Sequence, residues 1–167
     1  MGLVMKRLAR ASLALAAVSF ACFIVMILAQ VSYRYVGVSM VFSEEAARLF
    51  NVYAVFFGLV YVVYASGDVR INLIDAFFDS RPRLAVALSL VYTVLAIIFM
   101  AILCVGSWRL MNSNWSWPLP SISFLSKGHV YLAPFIGSVL SLIILVGRVI
   151  ETLRLRQPVF PLTEDVE

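Results

Sequence analysis

The chain has 167 residues, 63% of them apolar and 13% charged, with a mean hydropathy of +0.99 and a formal charge of +4. Soluble domains carry about 45–50% apolar residues, so this composition excludes a soluble globular protein and points to an all-α integral membrane protein. The basic residues sit in clusters beside apolar runs, which is an orientation signal rather than a nucleic-acid signature, and Cys22 and Cys104 lie inside such runs, implying neither a disulfide framework nor a metal site.

Lys6, Arg7 and Arg10 precede the apolar run Ala11–Ala29. A signal-peptide core is only about 7–15 residues long and ends in a small-residue cleavage site. Here the run is longer and leads into Gln30-Val31-Ser32-Tyr33-Arg34, so it is expected to remain as a first transmembrane helix, about 11–33. Lys6 stands where a myristoylation signal wants Ser or Thr. Ala17 and Ala21, with Ser12, Ala16 and Ser19 nearby, offer small surface for close helix packing.

Next comes Tyr33-Arg34-Tyr35, then Ser43-Glu44-Glu45-Ala46-Ala47-Arg48, set between two lipid-length apolar runs. Leu49–Ala65 covers only about 26 Å of helix, less than the roughly 30 Å of a bilayer core. The second span, about 43–65, must therefore take its first turn from Ser43–Arg48, which brings Glu44, Glu45 and Arg48 to the hydrocarbon edge. Charges there need pairing, water or cover from another protein. Glu44 and Glu45 lie four and three residues before Arg48, so both are its neighbours on a helix surface, and two carboxylates in a first turn suit the helix dipole. Spacing alone fits a plain charged cap equally well. Asn51, one turn below Arg48, is placed to bond across to another helix or, as readily, within its own helix or to water. Tyr61 and Tyr64 read as interfacial rings at the far end.

Ser66-Gly67-Asp68 breaks the helix. In the following segment Ile71, Ile74, Phe77 and Phe78 recur at helical spacing against Arg70, Asn72, Asp75 and Asp79. This pattern predicts a short amphipathic helix over about 69–78, lying in the interface and stopped by Pro82; a plain loop is the alternative. The third span is expected over about 84–107, long enough to tilt. Trp108, Trp115 and Trp117 then form an aromatic belt in a connection rich in Pro, Ser and Asn, where Asn114-Trp115-Ser116 is a formal glycosylation acceptor. His129 is the only histidine and has no carboxylate or Cys at ligand spacing, so it reads as an interfacial residue. The fourth span covers about 130–150, with Pro134 in its tolerant first turn and Gly137 and Ser141 as a second small pair. A tail, 151–167, ends in Glu164-Asp165-Val166-Glu167.

Taken together, the chain is one membrane domain: four transmembrane helices plus a short interfacial amphipathic helix. It carries no phosphate loop, no metal-ligand cluster, no nucleophile beside a base, no charge at mid-span and no repeat with interrupted helices. No catalytic, cofactor-binding or metal site is expected, and neither an enzyme nor a self-sufficient carrier.

The string Tyr33-Arg34-Tyr35, Ser39, Ser43-Glu44-Glu45-Ala46-Ala47-Arg48, Phe57-Gly58 and Gly67-Asp68-Val69-Arg70-Ile71-Asn72 resembles the small permease subunit of tripartite ATP-independent periplasmic (TRAP) transporters, the DctQ family, over nearly the whole chain. Two positions depart from the family pattern: Phe42 stands near a common Trp, and Val69-Arg70 replaces a His-containing step. The resemblance implies a bacterial inner-membrane subunit paired with a large DctM-type permease subunit that carries the substrate and sodium sites. A periplasmic substrate-binding protein would deliver an organic acid. The small subunit would act as part of the static scaffold, with Arg34, Glu44, Glu45, Arg48 and Asn51 as candidate partner-interface residues and Ile71, Ile74, Phe77 and Phe78 on lipid or partner. The alternative is a stand-alone four-helix membrane protein, an assembly factor or small channel.

Orientation follows from Lys and Arg alone. The N-terminus, the 66–83 connection and the segment from Arg148 onward carry three each, against two each in 30–48 and 108–129. Both termini are thus expected in the cytoplasm. In a chain lacking Cys22 and Cys104, an impermeant thiol reagent applied to intact cells should label Ser39→Cys and Ser123→Cys but not Ser80→Cys. The reverse pattern would invert the orientation.

Overall fold

The computed structural model describes residues 3–37, 41–65 and 82–155, with side chains over 4–37, 42–65 and 90–150. Four helices account for nearly all of it: α1 (Leu3–Tyr35), α2 (Val41–Ala65), α3 (Pro82–Asn114) and α4 (Gly128–Leu155). Each contains a stretch long and apolar enough to cross a membrane. The interfacial helix expected over 69–78, with Ile71, Ile74, Phe77 and Phe78, lies outside the described residues, as do Ser39 and the chain beyond 155.

Helix ends follow local chemistry. α1 closes with amides of Val36 and Gly37 bonding back to the carbonyls of Tyr33 (3.1 Å) and Arg34 (3.2 Å). Gly37 adopts φ +80, a left-handed stop that glycine accepts without strain. Pro82 is the first residue of α3, where its missing amide and fixed φ cost nothing. α3 passes the expected stop at Trp108 and runs to Asn114. There Asn114 Nδ2 (2.8 Å) and Ser113 Oγ (3.2 Å) donate to the Leu110 carbonyl, satisfying an acceptor that the ending helix leaves open. At about 50 Å each, α1 and α3 outreach a bilayer core.

Lipid offers no hydrophobic drive between helices, so shape decides the packing. The main contacts run α1–α2, α2–α4 and α3–α4. α2 and α4 are therefore the inner pair, running parallel, and α1 and α3 flank them. Val60 and Val63 of α2, Met100 of α3 and Ile144 and Leu145 of α4 make the buried core cluster. α2 and α4 approach closely at Gly137, where an added Cβ would fall 2.9 Å from the carbonyl oxygen of Phe56 and 3.0 Å from its Cβ. On the outside, α1 and α3 show Val18, Val25, Leu28, Leu95, Phe99 and Ile102 to the surroundings.

Gly137→Leu should therefore destabilise the detergent-solubilised chain by about 1–3 kcal/mol, the usual cost of overpacking. Gly106→Leu, where nothing lies within 4 Å of the added Cβ, should leave the melting temperature unchanged. Thermal unfolding of both variants checks the α2–α4 contact.

Candidate functional site

The charged turn opens α2, as the length of the apolar run requires. Successive helical residues point about 100° apart, so Glu44 and Glu45 cannot share a direction. Glu44 faces outward and accepts from Arg48 Nη2 at 2.7 Å, with side-chain exposures of 57% for Glu44 and 77% for Arg48. An ion pair this open is worth about 0–1 kcal/mol. Glu45 turns inward to the α3–α4 connection, where its Oε2 accepts the backbone amide of Ser121 at 3.0 Å. Arg34 is exposed near the end of α1 and makes no ion pair among the described residues. The structure thus joins Glu44 to Arg48, assigns Glu45 to a loop 76 residues away, and leaves Arg34 apart.

That loop has a shape of its own. Pro118 and Ser126 form an isolated antiparallel bridge. The Lys127 amide donates to the Trp117 carbonyl and the Leu119 amide to that of Leu125, both at 2.8 Å. Ile122 is buried beneath it, while Trp117 and Phe124 are exposed. At its end, the Ser126 amide and hydroxyl lie 3.2 and 2.9 Å from His129 Nδ1. A backbone amide can only donate, so Nδ1 is the acceptor in that contact. The His129 side chain thus satisfies the Ser126 amide just before α4. The imidazole also stacks on Trp115, centroids 5.0 Å apart. The His129 carbonyl accepts from Tyr53 Oη of α2 at 3.1 Å.

Sequence reasoning missed three participants. Ser121 gave no signal, since its backbone amide rather than its side chain makes the contact. Tyr53 was legible only as a polar member of the second span. Arg148, grouped with the basic tail, lies inside α4, is 5% exposed, and donates through Nη2 to the carbonyl of Tyr64 at the far end of α2. A cation there satisfies a terminal carbonyl and complements the negative end of the α2 dipole. α2 is therefore held near its first turn by Glu45, at its middle by Tyr53 and at its last turn by Arg148.

Asn51 is exposed, one turn below Arg48 on the same face of α2. Among the described residues no group of three or more His, Cys, Asp or Glu could hold a metal. The family model for "Tripartite ATP-independent periplasmic transporters, DctQ component" matches residues 23–155, from the middle of α1 to the end of α4. No curated protein and no solved structure matches the chain.

Two substitutions separate the two carboxylates. Glu45→Ala should accelerate hydrogen exchange of the Ser121 amide in the isolated chain. Arg48→Ala should change its stability by no more than about 0.5 kcal/mol, as expected for an exposed i,i+4 pair.

Proposed function

Because the chain belongs to the DctQ component family of tripartite ATP-independent periplasmic transporters, we propose that it is the small permease subunit of such a transporter. Its role is to scaffold a large DctM-type subunit during sodium-coupled uptake of an organic acid delivered by a periplasmic binding protein. It is a transporter component and not an enzyme. Four helices able to span a membrane fit a multi-pass protein of the bacterial inner membrane.

The observation that carries the scaffold reading is the clamping of α2. One helix bonded at both ends to the α3–α4 hairpin moves as a unit with it, which suits a fixed frame better than a moving element. The apolar flanks of α1 and α3 give that frame a wide face toward lipid or protein. Exposed Glu44 and Arg48 would be covered by the large subunit. Sodium and the organic acid are assigned to that larger chain, because this one brings no charge to the middle of a described span.

Covering an ion pair raises what it costs to break. Loss of one partner from a buried pair leaves the other charge uncompensated, at about 3–5 kcal/mol. Arg48→Ala should therefore weaken co-purification with the large subunit and lower uptake in reconstituted vesicles, and Glu45→Ala should do so by releasing the Ser121 amide and its loop, while the isolated chain moves no solute. Transport by this chain alone, or variants that change neither assembly nor uptake, would favour a stand-alone channel or assembly factor.

A further inference from the structure

Apart from Phe42 and Ala65 at its ends, the exposed residues of α2 are Glu44, Arg48, Asn51, Val55 and Val62. Their steps of four, three, four and seven residues form a straight heptad seam, the pattern that a single crossing helix reads. Beside the middle of this seam lies a groove of ≈ 320 Å³ between α1 and α2, lined by Leu13, Ala16, Ala17, Phe20, Asn51 and Val55, with Ala54. Its small residues allow close approach of another backbone. Asn51 lies about 10 Å of helix beyond Glu44, inside the apolar span Phe42–Ala65. Its amide is exposed and has no hydrogen-bond partner among the described residues.

We propose that this groove seats one transmembrane helix of the large permease subunit, which meets Asn51 with a hydrogen-bonding group one turn inside the charged edge. The proposal rests on the subunit assignment above and adds the surface and its occupant. An acyl chain fits the apolar walls, but it offers nothing to an amide, and a polar group left unsatisfied in lipid is costly. A second copy of this chain fits less well. Two copies in the same membrane orientation meet about a two-fold axis along the membrane normal, and a shared seam then sets Glu44 against Glu44 and Arg48 against Arg48. A different helix has no such restriction, and the seam continues without a break from the exposed Glu44–Arg48 pair into the groove.

The test uses the complete transporter with a photo-crosslinking amino acid at Val55, an outward position whose replacement does not disturb the core. The expected product is a covalent adduct with the large subunit. A product of twice this chain's mass identifies a second copy and overturns the proposal. Lipid adducts alone, with the two chains still co-purifying, overturn the groove assignment and leave the subunit assignment standing. Failure of the two chains to co-purify removes both. In parallel, Asn51→Leu should weaken retention of the large subunit about threefold, the scale of an interhelical hydrogen bond in lipid, without lowering the melting temperature of the isolated chain. Asn51→Gln should restore it. Equal retention in all three, or equal loss in Leu and Gln, rules out the amide as the anchor.

Discussion

The close approach of α2 to α4 is the constraint on which the rest of the fold depends. In lipid the association of helices draws on packing and hydrogen bonds, because lipid tails solvate apolar side chains as well as neighbouring helices do. Gly137 lets the two backbones meet at Phe56. Above that point Tyr53 reaches the His129 carbonyl, and below it Arg148 reaches the Tyr64 carbonyl. Three contacts spread along one pair of parallel helices fix separation, rotation and axial offset together. α1 and α3 then pack on the outer sides, and the cluster around Val60, Met100 and Ile144 fills the angle between α2, α3 and α4.

The same arrangement explains why the charged turn divides as it does. With α2 rotated so that Tyr53 and Phe56 meet α4, Glu45 on the same side faces the α3–α4 connection, and Glu44 and Arg48 face away. Glu45 thereby becomes a structural acceptor, holding a loop whose Trp117 and Phe124 stand exposed. Glu44 and Arg48 remain available at the membrane edge, on the seam that leads to Asn51. One turn of helix thus serves the internal architecture on one face and offers a surface on the other.

Membrane composition, the number of spans and the location of the charged turn at the start of α2 were all legible in the amino-acid sequence, because each follows from run length and hydropathy. So was the Glu44–Arg48 pair, since an i,i+4 spacing places two side chains together on any α-helix. The resemblance carried by Tyr33-Arg34-Tyr35 and Ser43–Arg48 led to the family that the match over 23–155 shows. The limits of α3 were less legible: Trp108-Arg109 marks an interface by composition, yet nothing there stops a helix, and the carbonyl cap at Ser113-Asn114 comes later.

Only the tertiary structure decided which face of each helix is turned inward. A soluble helix declares its buried face by its polar one, whereas α1 and α3 are apolar almost all round, so their rotation leaves little trace in periodicity. The partners of Glu45, Tyr53 and Arg148 depend on that rotation and on contacts across 76 to 84 residues, two of them with backbone carbonyls and one with a backbone amide, groups that every position carries. Nor could periodicity alone show that Asn51 opens onto a groove with α1 rather than bonding within the bundle. Local spacing determined what each helix is and where its charges begin; packing between helices determined which of those groups are structural and which remain on the surface.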